Sequence, residues 1–423
     1  MEAKRERYTP NDVGPIPNDW SAPKLSDVST LITNGFVGTA TPHYTDSSGI
    51  PYLFGKNVRP NRIDPEGIRY ITNSFHEKQS KTKLETGDLL TVQSGHIGET
   101  AVVPSTLSGA NCHALIVTRL LKERVLPMFM SYYLNSEIGR ARMVGLEVGS
   151  TILHINTKDL KKFRVIVPPL GEQKKIAQIL STWDKAITTT EQLLANSQQQ
   201  KKALMQQLLT GKKRLLDENG VRFSGEWVSL QLGEFTEITT GKSKSKFVTE
   251  DGQNFIVDMG SVNRQGKLVP SKRTNLDSDY LQVGHLVMPK DDIGGGNILG
   301  RAGYITENNK FILGDHVYAL KVSENDSLFI SYLINSYAVN KSLRRKANGT
   351  AQLGLGKKDV LRQVIHIPSS NSEQQSIASV LFRVDQEISK LQFKVASLKT
   401  EKKALMQQLL TGKRRVKVDE EAA

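Results

Sequence analysis

The stretch KKALMQQLLTGK stands at Lys201–Lys212 and again, residue for residue, at Lys402–Lys413. The two copies lie 201 positions apart in a chain of 423 residues, so the fold is built from two related halves. The same offset holds without a gap back to Glu172, where EQKKIAQILSTWDKAI aligns on EQQSIASVLFRVDQEI. Glu172/Glu373, Gln173/Gln374, Ile176/Ile377, Ala177/Ala378, Leu180/Leu381, Asp184/Asp385 and Ile187/Ile388 are identical pairs. Further upstream only landmarks survive. FMSYYLNS (Phe129–Ser136) stands beside FISYLINS (Phe329–Ser336), Lys158-Asp159-Leu160 beside Lys358-Asp359-Val360, Pro168 beside Pro368, and Trp20 beside Trp227. Each half reads as a diverged globular segment followed by a nearly invariant helical one.

The helical segments carry the apolar spacing of a coiled coil. Positions alternately four and three apart, counted from Ile176 to Leu208, are apolar in seven of ten cases; from Ile377 to Leu409 they are apolar in nine of ten. Neither span contains Pro or Gly. Each opens after a proline-containing loop (VPPLGE, IPSSNSE) and stops at Gly211 or Gly412, the usual kind of helix terminator. So narrow a stripe needs a partner helix, and the other copy is the natural one. Roughly 35 residues at about 1.5 Å each make a rod of about 50 Å. Antiparallel pairing would put one globular unit at each end of it, and parallel pairing both at one end. In the plainer alternative each helix packs only on its own globular unit. The identity also extends to Gln206, Gln207, Gln407 and Gln408, which core packing does not constrain. Two copies of one surface suit two copies of one partner subunit.

The length predicts two or more domains. With 57 Lys+Arg against 43 Asp+Glu, the net charge of +14 suggests a polyanionic partner, nucleic acid being the commonest; a merely soluble basic protein is the alternative. One cysteine, Cys112, excludes a disulfide scaffold and a Cys-based zinc site within the chain. No signal-peptide run or membrane-length apolar stretch is visible, and a cytoplasmic protein is expected. Catalytic motifs are also missing. TEITTGKS (Thr236–Ser243) lacks the first glycine of a phosphate loop, GGGNILG (Gly294–Gly300) misses dinucleotide spacing, and neither an Asn/Asp-Pro-Pro-Tyr motif nor a glycine-rich S-adenosylmethionine loop is found. Pro289–Asp292 is not recognisable as a nuclease cluster, and the histidines show no metal-ligand spacing. A binding protein is expected, against the alternatives of a DNA-modifying enzyme (nuclease or methyltransferase) or a protein-binding scaffold.

The whole pattern resembles the specificity (S) subunits of type I restriction-modification systems, the HsdS family. The resemblance covers essentially the full chain. It rests on the two helix starts, the two ALMQQLLTGK ends, and IPYLFGKNV (Ile50–Val58), LETGDLLTVQSGHIGETAVV (Leu84–Val103) and GSTILHINTKDLKKFRVIVPPLGEQ (Gly149–Gln173). It implies an α+β fold: two pseudo-symmetric target recognition domains of α/β type, separated by an antiparallel two-helix coiled coil. The expected divisions are a lead-in (1–19), a first recognition domain (20–170) and first helix (171–212), a linker (213–226), a second recognition domain (227–370) and second helix (371–413), and a tail (414–423). Each domain would read one half of a bipartite site in double-stranded DNA. The helices would dock two methyltransferase (M) subunits, and restriction (R) subunits would join that core. No cofactor is expected in this chain. S-adenosylmethionine would belong to the M subunits, and ATP and Mg to the R subunits.

Reading bases takes donors and acceptors on loops, with Lys and Arg near the phosphates. The first half offers Lys56, Asn57, Arg59, Asn61 and Arg62 in GKNVRPNR, Gln93, Ser94 and His96 in QSGHIG, and Ser150, Thr151 and His154 in GSTILHIN. The second offers Lys242, Ser243, Lys244 and Lys246 in GKSKSK, and Asn263, Arg264 and Lys267 in MGSVNRQGK. It adds Asn297 and Arg301 in PKDDIGGGNILGR, which aligns with TVQSGHIGE once about five extra residues are allowed at Asp291–Gly295, and Thr350 and Gln352 in NGTAQLGLGK. Arg140 and Arg142, and Arg344, Arg345 and Lys346, are candidate phosphate anchors after the SYYLNS and SYLINS helices. For any one of these residues the alternative is an ordinary solvated side chain.

Overall fold

The computed structural model describes residues 8–9, 13–145, 154–349 and 352–418. The chain divides into two compact units, 1–190 with 394–423, and 191–393. The helices that frame these units are α1 (Pro127–Asn135), α2 (Glu137–Val144), α3 (Leu170–Leu208), α4 (Ser327–Asn335), α5 (Tyr337–Arg345) and α6 (Asn371–Leu409). Among the described residues no helix is long and apolar enough to cross a membrane.

In the first unit an antiparallel sheet runs in the order Thr100–Val102, Leu89–Val92, Leu115–Leu120, Ser29–Asn34. A second, mixed sheet contains Asn111–Cys112, Ile50–Leu53, Arg69–Ile71 and Tyr44–Thr45. The second unit repeats the plan. Thr236–Thr240, Val317–Val322, Leu286–Pro289 and Gly303–Tyr304 form one sheet, and Lys272–Thr274, Asn254–Val257 and Phe311–Leu313 the other. The short helices arise from shared landmarks. Ser136 and Ser336, the last residues of YLNS and LINS, cap α2 and α5 by accepting the N–H groups of Gly139 and Val339.

The long helices are shared between cores. In the first unit Phe129, Tyr133, Ile116 and Leu120 pack with Ile176 and Leu180 from the start of α3 and with Leu409 and Leu410 from the end of α6. In the second, Phe329, Ile330, Leu286 and Leu320 pack with Ile377 and Leu381 from the start of α6 and with Leu208 and Leu209 from the end of α3. So the start of each helix packs on its own globular segment, and its end closes the other one. All twenty seam positions expected from the sequence are buried or half-buried. The helices run antiparallel within each unit: Lys402 meets Asp184 at 2.5 Å in the first, and Lys201 meets Asp385 at 2.7 Å in the second.

Those lysines open the two KKALMQQLLTGK copies, and each completes a three-part junction. The Tyr132 hydroxyl donates to Asp184 Oδ2 at 2.7 Å while Lys402 lies over its ring; Tyr332 donates to Asp385 Oδ2 at 2.8 Å beneath Lys201. Burial first, then the neighbouring carboxylate, pushes both tyrosine hydroxyls far up. The Glu-Gln pair at each helix start is likewise consumed inside. The Gln173 amide donates to the Arg124 and Pro168 carbonyls and its Oε1 accepts the Leu126 N–H; Gln374 serves Asn325 Oδ1, the Pro368 carbonyl and the Asp326 N–H in the same way. Glu172 and Glu373 pair with Arg415 and Arg214, just past the ends of α6 and α3.

The terminal glycines close the motif. Gly211 and Gly412 take φ of +69° and +70°. A Cβ at Gly412 would sit 2.4 Å from Pro17 and 3.4 Å from Trp20, and one at Gly211 would sit 3.1 Å from Trp227. In both units the terminal glycine thus lies against the recurring tryptophan.

Candidate nucleic-acid interface

In the first unit two of the suspected loops meet at Asn135, near the end of α1, and the third pairs with one of them. Its side chain accepts the Thr100 N–H at 3.0 Å and donates to the Thr100 carbonyl at 2.6 Å, holding the strand that leaves QSGHIG. It also donates to Asn61 Oδ1 at 2.9 Å, which receives the Ser131 hydroxyl as well, so the hairpin 58–63 is pinned beside it. The third segment is joined by a Ser94–His154 bridge and by the Ile155 N–H donating to the Gln93 carbonyl at 3.0 Å.

Asn335 does the same in the second unit. It accepts the Ala302 N–H at 3.0 Å and donates to the Ala302 carbonyl at 2.7 Å. The hairpin around Val262 and Leu268 abuts it, since a Cβ on Gly266 would come within 2.3 Å of Asn335 Oδ1. Asp291–Asp292 pairs with Leu353–Gly354, bringing in the third segment. Val92 lies opposite Leu115, as Pro289 lies opposite Val317, so Ser94 corresponds to Asp291. Thr100 and Ala302 correspond through the two asparagines. The five additional residues therefore fall inside this loop, between Asp291 and Gly300. Buried Asp292 organises the expansion by accepting the N–H groups of Gly294 at 2.6 Å and Ile298 at 3.0 Å.

Several suspected readers make hydrogen bonds within the protein, and one of them is buried. The expectation for Asn57 is overturned. It is fully buried, accepts the Phe54 N–H and donates to the Asp64 and Glu66 carbonyls, so no base edge can reach it. Asn57→Ala is expected to cost about 1–3 kcal/mol of stability by stranding those carbonyls, with base preference unchanged; a urea titration and a binding-site selection check both halves of that statement. Asn61, at φ +63°, is spent on the hub. Asn263 folds its own turn by accepting the Gln265 and Lys267 N–H groups, and Asn297 donates to the Gly294 carbonyl. Arg142 donates to the Tyr133 hydroxyl and stacks on Phe163, Lys346 donates to Gln363, and Lys267 donates to Ser389. Arg140 is half-buried with an unpartnered Nη1, and half-buried Arg59 donates to its neighbour's carbonyl.

Lys244 is paired with Asp279 on the GKSKSK turn, where Lys242, Ser243 and Lys246 are exposed. Lys56, Arg62, Ser94, His96, His154, Arg264, Arg344, Arg345 and Gln352 are exposed, and Gln93 is half-buried. Ser150, Thr151 and Thr350 lie outside the described residues. The two asparagine hubs were missed by reading for donors. Their signal was the Asn-Ser pair shared by SYYLNS and SYLINS, which outlived the divergence around it.

The family model described as "Type I restriction modification DNA specificity domain" matches residues 17–196 and again 224–396. The chain belongs to the type I DNA specificity family. The putative type I restriction enzyme MjaX specificity subunit of Methanocaldococcus jannaschii is 26% identical over 442 residues, covering 98% of either chain. The EcoKI specificity subunit of Escherichia coli K12 is 22% identical over 398 residues, covering 88% of this chain and 83% of that one. The crystal structure of the S subunit from M. genitalium has the same fold, with a TM-score of 0.63 at 16% identity over 92% of this chain and 96% of that one. This chain is thus a specificity subunit, a DNA-recognition component with no catalytic role of its own, and its partners are DNA and the other subunits of a type I complex.

Proposed function

We propose that each unit of this specificity subunit reads one half of a bipartite DNA site. One observation carries the reading. In both units the equivalent asparagine holds two segments and the third pairs with one of them, yet the exposed residues differ: Arg62, Ser94 and His96 in one, Arg264 and Gln352 in the other. A common frame with exchanged contents suits two different half-sites.

The antiparallel helices then hold two M subunits against the repeated surface of Gln206, Gln207, Gln407 and Gln408, all exposed. R subunits join through that core. S-adenosylmethionine works in the M subunits and ATP and Mg in the R subunits, and the complex acts in the cytoplasm. The repeat is not fully symmetric, because Gln407 donates to Glu137 at 2.7 Å.

His96→Ala and Gln352→Ala test the loop assignment. Each is expected to cost about 1–3 kcal/mol of binding and to relax one position, His96 in one half-site and Gln352 in the other. Methylation mapping with each variant reads this directly. Uniform weakening across all sequences would reassign these residues to the phosphates.

A further inference from the structure

The two units differ sharply on the helix that comes after the asparagine hub. On α5, Tyr337, Lys341, Arg344 and Arg345 are all exposed and fall on one face at i, i+4, i+7 and i+8. The equivalent positions of α2 are Glu137, Ala141, Val144 and Gly145. A face with three cations in the second unit is acidic or neutral in the first. There Glu137 is already engaged by Gln407 and Lys403 from the end of α6.

Among the described residues no carboxylate pairs with Lys341, Arg344 or Arg345; Lys341 instead donates to the Tyr337 hydroxyl at 3.1 Å and lies over its ring. Arg344 reaches across the expanded loop, with its Nη2 3.8 Å from the place a Cβ would occupy on Gly296. It also bears on Arg301, whose guanidinium is held below its usual range by burial first and by the Arg344 charge second. Arg301 donates to the Asn335 carbonyl through Nη1, while its Nε is buried with no partner. Position 301 is Glu99 in the first unit, so the charge is reversed there too. The acids of the expanded loop are engaged elsewhere, Asp292 by the Gly294 and Ile298 N–H groups and Asp291 by His316, so these like charges would be stabilised by an external anion.

We propose that the outer face of α5, with Arg301 behind it, is a phosphate rail for the DNA backbone that only the second unit possesses. The proposal rests on the reading of the units as DNA-binding. It adds that their binding is electrostatically unequal: the second unit supplies most of the salt-sensitive grip, and the first relies more on its loops. A linear array of cations beside a reading loop matches the regular charge of a duplex, and the exposed Tyr337 adds a hydroxyl donor for phosphate or sugar.

The test is the salt dependence of binding of the full chain to a mixed-sequence DNA duplex. The variant K341Q/R344Q/R345Q is expected to flatten the slope of log K against log salt by about 2–3 units, at roughly 0.9 per lost phosphate contact. The charge-preserving variant K341R/R344K/R345K is expected to keep the wild-type slope. R345Q alone, at an exposed position, should remove about one unit and keeps the test valid if the triple variant melts early. A triple variant that melts normally and keeps the wild-type slope overturns the rail while leaving DNA binding by the loops intact. The same slope with loss of partner-subunit assembly also overturns it and assigns the face to an acidic protein surface. A wild-type chain whose DNA binding ignores salt removes the rail together with the reading beneath it.

Discussion

Arg214→Ala is expected to destabilise the second unit by about 3–5 kcal/mol, the cost of leaving a buried charge without its partner. Glu373 has no exposed side-chain surface, and Arg214 grips both its oxygens through Nε and Nη2 at 2.5 and 2.6 Å. Removing the arginine strands the carboxylate at the start of α6. Adding Glu373→Gln to that background should recover much of the loss, because the amide brings no charge into the interior. The twin substitution Arg415→Ala should cost less. Arg415 is 41% exposed, shares itself between Glu172 and Asp19, and leaves a carboxylate that solvent already touches. Urea unfolding monitored by amide exchange separates the two units. A loss below about 1 kcal/mol in Arg214→Ala would remove the buried pair from the account.

Leu409→Ala and Leu208→Ala carry the second large effect, and its location matters as much as its size. Each leucine is almost wholly buried, and truncation is expected to cost about 2–5 kcal/mol. Leu409 lies near the end of the chain yet belongs to the core built on Phe129 and Leu120; Leu208 belongs to the core built on Phe329 and Leu320. Leu409→Ala should therefore deprotect amides in the sheet of Leu89–Val92 and Leu115–Leu120 and spare that of Leu286–Pro289. Leu208→Ala should do the reverse. Deprotection on the sequence-adjacent side in both cases would mean that each helix serves only its own globular segment.

The helices were legible because a repeat of apolar spacing is a backbone-level signal: every seam position from Ile176 to Leu208 and from Ile377 to Leu409 is covered. Lys201 and Lys402 are polar positions of that seam. Their meaning needed Tyr132, Asp184, Tyr332 and Asp385, which the sequence shows as shared across the repeat but not as neighbours. The swap of helix ends between cores was hidden for the same reason, since spacing names a stripe without naming what covers it.

The loops were half legible. Five extra residues and the correct segments could be aligned, but an asparagine in a loop looks the same whether it reads a base or ties a turn. Asn57, Asn61 and Asn263 tie turns or hubs. Lys346 and Arg142 looked like anchors because their cationic ends are visible in sequence while their acceptors, Gln363 and Tyr133, are not.

Joint expression of this chain with methyltransferase subunits of its system, coupled to methylome sequencing, tests the central claim most directly. The account predicts methylation within one split motif: two defined half-sites separated by a fixed gap of unspecified bases, with His96→Ala and Gln352→Ala relaxing different halves. A continuous motif, or a split motif in which both substitutions relax the same half, would contradict it.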